Sequence, residues 1–125
     1  VVEVLTKAAK SLNLDYRVGI TVSNSGFFAN QGRDIGRVSP SIKEIDSIFT
    51  ELDSGIPDNR FENMEMEVSF LLHLANGSGC KAGAICVAIA NRQERTFIDN
   101  YVSHIEEAIR VALLALHNLD CAEIY

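Results

Sequence analysis

Nine consecutive residues, Ala82–Ala90, carry no polar side chain. A run this short cannot span a membrane. It reads as a strand covered on both faces, and such strands occur where helices pack on either side of a sheet. The rest of the chain supplies helices. Leu5, Ala8, Ala9 and Leu12 recur at helical spacing, so a helix is expected over Glu3–Ser11, with Asn13 as its C-terminal cap. Val18, Ile20 and Val22 alternate with Arg17, Gly19 and Thr21, the period of a strand. Ser41-Ile-Lys-Glu44 has capping-box spacing ahead of Ile42, Ile45, Ile48, Phe49 and Leu52, and Gly55 offers the stop. Phe61–Met66 reads as a short strand, Glu67–Ala75 as a helix ended by Asn76-Gly77, and Val102–Leu116 as a long closing helix. Alternating helices and strands give the class α/β.

Charge narrows the partners. Seventeen acidic against eleven basic residues leave a net charge of −6 with no basic cluster, so nucleic acid and anionic lipid surfaces are poor fits. No apolar run reaches the length of a membrane span. The three cysteines, Cys80, Cys86 and Cys121, are odd in number and scattered. They argue against a disulfide framework and for a reducing, cytoplasmic setting. No His sits at metal-site distance from them, so no metal site is expected. His73, His104 and His117 fall on predicted helices as surface or half-buried residues.

Three segments carry chemistry. Ser23–Arg37 is a long loop with three Gly, two Asn and two Ser, and it follows the first strand. In open α/β sheets ligands gather beyond the carboxyl ends of strands. Within it, Phe27-Phe28-Ala29-Asn30-Gln31-Gly32-Arg33 combines a ring able to stack, an amide that donates and accepts, and a fixed fork of cationic donors. A planar imide such as uracil offers acceptor, donor and acceptor along one edge, which Gln plus Arg can match. A solvated loop with one aromatic tucked inward would read the same way. Asn63-Met64-Glu65-Met66-Glu67 places two carboxylates around a Met ahead of an apolar helix. One carboxylate can grip a ribose diol; equally, acids at a helix start answer its dipole. Ile89-Ala90-Asn91-Arg92 ends the apolar run, facing either a pocket or solvent.

Together these segments resemble the C-terminal half of the uridine phosphorylases, within the nucleoside phosphorylase family, over about Tyr16–Leu119. The first resembles that family's Phe-Tyr-x-Gly-Gln-x-Arg uracil loop, with Asn30 where the family has Gly. The second resembles its Asn-x-Glu-Met-Glu ribose motif. The third, Ala82–Arg92, resembles the strand that ends beside the base. The resemblance implies a mixed central sheet flanked by helices, with residues 1–125 as the C-terminal part of one such domain. It implies that Phe27 packs against the nucleoside, Gln31 pairs with the O2 and N3 side of uracil and Arg33 with O4. Met66 lies under the sugar, Glu67 binds the ribose hydroxyls with Glu65 beside it, Ile89 and Ala90 wall the base, and Arg92 anchors the Gln/Arg loop. Purine-specific relatives place an Asp at the last strand's end, where this chain has Ala90-Asn91-Arg92, so pyrimidine is the expected base.

The implied reaction turns uridine and phosphate into uracil and ribose 1-phosphate, with no cofactor and phosphate as co-substrate. The family's phosphate ligands come from its N-terminal half and from a neighbouring subunit. The chain begins at Val1 inside helical periodicity, so a fragment is expected: inactive alone, completed by its N-terminal half, and assembled from dimers. An inactive nucleoside-binding or structural subunit of the same fold is the alternative. A small α/β interaction domain matched by chance is a third.

Overall fold

A computed structural model describes the backbone of residues 1–122 and the side chains of residues 1–119. Two compact units make up the chain. One comprises Val1–Arg17 and the residues from Gly79 onward; the other is Val18–Ser78.

The first unit is built on two helices, α1 (Val2–Ser11) and α4 (Val102–Ala122). Ala8 and Ala9 of α1 and Val111 and Ala115 of α4 form its buried core, with Val4, Leu5, Leu14 and Leu114 packed around them. Three of the four core residues are alanines, so the interface is closed by near approach of the helices and not by bulk. Asn13 ends α1 as expected. It sits at φ 54°, its N–H donates to the Lys10 carbonyl at 3.1 Å, and the Leu14 N–H donates to the Ala9 carbonyl at 3.2 Å. That pair of bonds is the Schellman arrangement, in which Asn is one of the few non-glycine residues that tolerates the left-handed position.

The apolar run does not form the long strand expected. Only Ala90–Asn91 (β3) pairs, antiparallel, with Thr96–Phe97 (β4). Residues 82–89 have no regular structure, and Ile85, Cys86 and Ile89 are exposed. A strand buried on both faces needs a neighbour along each edge to take its N–H and C=O groups. Among the described residues, β4 alone offers such an edge, for two residues only.

The second unit centres on β1 (Ile20–Ser23) and β2 (Phe61–Glu65), paired in parallel with Thr21 opposite Asn63 and Ser23 opposite Glu65. The Thr21 hydroxyl donates to Asn63 Oδ1 at 2.7 Å across the pair. Between the strands lies α2 (Ile45–Glu51), whose Phe49 ring meets the Phe61 ring of β2 at 5.3 Å. After β2 comes α3 (Val68–Gly77). Phe70, Leu71, Leu72 and Leu74 of α3 are all exposed, Phe70 to 67%.

Two helix boundaries differ from the expectation. The capping box at Ser41–Glu44 does not form: Glu44 lies at φ 53°, makes no side-chain cap bond, and α2 begins after it. A box needs a right-handed helical residue at its fourth position. Lys43, meanwhile, is drawn toward Asp34 by an ion pair of 3.5 Å. Gly55 does not stop α2 either. The helix ends when Leu52 turns extended (ψ 127°), and Gly55 at φ 69° serves the next turn, donating to Asp53 Oδ1 at 2.9 Å.

The described residues thus hold two separate two-stranded sheets among helices, which agrees with the α/β class without a single central sheet. No helix among them is long and apolar enough to cross a membrane. Cys80 and Cys86 are exposed and share no disulfide, and the Cys121 side chain lies outside the described residues. Val111 is only 1% exposed, so Val111→Ala should lower stability by about 2 kcal/mol through lost burial and an unfilled cavity. Urea unfolding should show a lower midpoint at unchanged slope.

Candidate active site

The parallel pairing of β1 and β2 sets the site's geometry. Both strands run the same way, so the loop after Ser23 and the segment after Glu65 leave from the same end of the sheet. A further bond, from the Asn24 N–H to the Glu65 carbonyl at 2.9 Å, extends the ladder one step past the strands. Phe27, Gln31 and Arg33 are therefore carried by the loop after β1, and Glu65, Met66 and Glu67 by the end of β2 and the entry to α3.

Loop 24–33 is held by its own polar groups. The Asn24 side chain donates to the Asn30 carbonyl at 2.8 Å, while its Oδ1 accepts from the Gly26 N–H at 3.3 Å. Residues Ala29–Gln31 make one 3-10 turn. Gly32 follows at φ 74°, and a Cβ there would stand 2.9 Å from Ile45 Cγ2. The left-handed position thus falls at Gly32 and not at Asn30, so the Asn in place of the family's Gly costs the loop nothing. Gln31 is buried, with 5% of its surface exposed. The Arg33 guanidinium lies over the Phe27 ring, its Cζ 3.9 Å from the ring centroid, and Phe28 meets Phe27 edge-on at 5.3 Å. Of the two groups expected to read a base, the cation lies against a ring of its own loop and the amide residue is buried.

The acidic segment divides its labour. Glu65 Oε2 accepts from the N–H groups of Glu67 (2.6 Å) and Val68 (2.7 Å). The Ser69 N–H donates to Ser23 Oγ at 2.9 Å. Together Glu65 and Ser23 satisfy donors that the first turn of α3 leaves open. Burial disfavours the ionised Glu65 carboxyl, but hydrogen bonds from the Ser23 hydroxyl and from backbone N–H groups of Glu67, Val68 and Met66 outweigh it and hold the group below the usual carboxylate range. Glu65 Oε1 is buried without a hydrogen-bond partner. Glu67 is exposed, with the Met66 N–H donating to its Oε2 at 3.3 Å. The helix-start reading of these acids therefore fits Glu65, and Glu67 is the carboxylate open to a ligand.

Ile89, Ala90 and Arg92 belong to the other unit. Ile89 and Ala90 are exposed at the start of the β3–β4 hairpin, and Arg92 lies in its turn. Asn91 turns its Oδ1 to the N–H groups of Gln93 and Glu94, each at 3.1 Å. Among the described residues no cluster of three or more His, Cys, Asp or Glu could hold a metal ion.

Two residues escaped the sequence reading. Ser23 ties β1 to α3, and Asn24 closes the loop. Asn24-Ser25-Gly26 carries the signal of an Asx turn, which could have marked Asn24. Ser23 gave none, because its partners are more than forty residues away, at Ser69 and at Glu65 across the ladder.

Comparison with known proteins decides the family. The model of the phosphorylase superfamily matches residues 1–119. The chain belongs to the phosphorylase superfamily. It is 36% identical over 94 residues to a uridine phosphorylase of Thermococcus kodakarensis, a match covering 74% of this chain and 32% of that protein. The chain thus spans about a third of the length of this curated relative. No solved structure matches. The resemblance to nucleoside phosphorylases drawn from the three ordered motifs is borne out at the level of the family.

Replacing Glu65 by Ala should cost about 1 to 2 kcal/mol of stability, the usual size of a lost N-terminal cap. Because the folded state binds this proton less tightly than the unfolded chain, the contribution is present above the unfolded glutamate value of about 4.3 and is lost as pH falls through the lower folded one. Denaturant titrations of the two proteins should therefore converge in acid, and a gap that stays constant down to pH 2 contradicts the assignment.

Proposed function

We propose that the intact protein containing this chain splits uridine with phosphate, giving uracil and ribose 1-phosphate. The observation that carries the reading is the parallel β1–β2 pair, which delivers the amide-and-guanidinium loop and the ribose-type acidic segment from one sheet end. Family membership and the printed name of the Thermococcus kodakarensis relative support the reaction class.

In this reading the glycosidic bond between C1′ and the uracil N1 lengthens first, and its electron pair passes to the base. Arg33 and Gln31 hold the uracil anion more tightly than neutral uridine, and that difference lowers the barrier. Phosphate oxygen then bonds to the anomeric carbon, and the departing anion takes up a proton from solvent. Glu67 accepts hydrogen bonds from the ribose hydroxyls and keeps the sugar in line, with Met66 beneath it. The phosphate ligands come from other parts of the intact protein and from a second subunit of a dimer-based assembly. No cofactor takes part, and the setting is the cytoplasm.

A single oriented charged donor in a water-poor site contributes roughly 3 kcal/mol to the transition state, so Arg33→Ala should lower kcat/KM for uridine by about two to three decades. Arg33→Lys should recover little, because an ammonium cannot reproduce the fork. Release of uracil from uridine by the intact protein, with and without phosphate, is the measurement. Undiminished turnover in Arg33→Ala overturns the residue roles. Uridine that raises the melting temperature without being cleaved points to the inactive nucleoside-binding subunit instead.

A further inference from the structure

The last carbonyls of a short helical turn have no partner within the turn, and each needs a donor from elsewhere. Around the turn Ala29–Gln31 the Phe28 and Ala29 carbonyls accept the N–H groups of Gln31, Gly32 and Arg33, each at 3.0 Å. The Asn30 carbonyl comes next, and its donor arrives from outside the turn, from Asn24 Nδ2 at 2.8 Å. That donor is itself held. Asn24 Oδ1 accepts from the Gly26 N–H at 3.3 Å, and the Asn24 N–H donates to the Glu65 carbonyl at 2.9 Å, at the end of β2. Gly26 leaves room for the arrangement, since a Cβ there would stand 2.5 Å from Asn30 Nδ2 and 2.7 Å from Asn30 Cβ. The Asn30 carbonyl belongs to the peptide unit that leads into Gln31, the buried amide residue of the loop.

We propose that Asn24 is a positioning residue for base recognition: its side-chain amide fixes the peptide unit entering Gln31, and its backbone N–H anchors that unit to the strand end that carries the ribose-type acids. Ordering a residue costs backbone and rotamer entropy. A loop that had to order itself as the base departs would lose that entropy from its hold on the uracil anion; a loop clasped beforehand does not. One side chain thus sets the base-reading turn against the acidic segment before a nucleoside arrives. The effect on uracil rests on the uridine reading above; the clasp itself does not.

The test uses the intact protein. Asn24→Asp keeps an acceptor for the Gly26 N–H and loses the donor to Asn30, and the bond to Glu65 stays because it comes from the backbone. It should lower kcat/KM for uridine about fivefold, the scale of one hydrogen bond. Fluorine withdraws electron density from the departing anion, so 5-fluorouridine leans less on Gln31 and its penalty should stay within about twofold. In a Gln31→Ala background Asn24→Asp should cost nothing more, because the residue it positions is gone. Gly26→Ala should push on Asn30 and lower uridine turnover at least as far, and adding Asn30→Gly, which keeps the carbonyl, should restore it to within about twofold. A penalty equal on both nucleosides, one undiminished in the Gln31→Ala background, or no recovery in the Gly26→Ala, Asn30→Gly pair overturns the proposal. If the unsubstituted protein cleaves neither nucleoside, the uridine reading falls, and deuterium exchange of the backbone amides over residues 26–33 still decides the clasp. Exchange should be about fivefold faster in Asn24→Asp, and an unchanged rate overturns it.

Discussion

The parallel register of β1 and β2 is the constraint on which the rest of the candidate site depends. Four residues on one strand and five on the other make a small sheet, and parallel pairs are slightly less stable per residue than antiparallel ones. Its reinforcement is accordingly polar and specific. Thr21 bonds Asn63 across the ladder, Asn24 bonds the Glu65 carbonyl beyond it, and Ser23 with Glu65 caps the helix that follows. A one-residue slip would move Ser23 away from Ser69 and Thr21 away from Asn63 together. Register, helix cap and the loop after β1 therefore stand or fall as one unit.

The same economy explains how two carboxylates two residues apart come to do different work. Glu65 is the last residue of β2, and its carboxylate folds forward onto the N–H groups ahead of it. Glu67 is the residue just before α3, exposed and outside that cap. The helix N-terminus favours negative charge at both positions. Glu65 takes two N–H groups at the helix start, and Glu67 takes the Met66 N–H at 3.3 Å. A sequence motif with alternating acids is thus resolved by local geometry into a structural residue and an open one, with no need for distant contacts.

Much of this was legible in the sequence, and the parts that were not share a cause. Helices α1, α3 and α4 follow from apolar spacing, and Asn13 was readable because left-handed C-terminal positions accept few residue types. The boundaries of α2 were not, because the capping-box pattern at Ser41–Glu44 competes with an ion pair from Lys43 to Asp34 and with a left-handed Glu44, neither visible locally. The segment after β1 was legible as a loop from its Gly, Asn and Ser content. Its left-handed residue fell at Gly32 instead of Asn30, a distinction that depends on Ile45 lying against Gly32. Arg33 on Phe27 was not legible, because spacing within a loop fixes neither side chain's direction.

The run Ala82–Ala90 marks the limit of reading strands from composition. Its apolar character is a statement about what it is meant to be covered by, not about what it pairs with inside this chain. Backbone groups need partners wherever side chains are withdrawn from water, so a strand of this composition is stable only between two others. The described residues offer it a two-residue hairpin and leave Ile85 and Ile89 exposed. The same holds for Phe70 and Leu74 on α3, which stand exposed. Exposed apolar segments of this kind mark surfaces suited to cover by further structure.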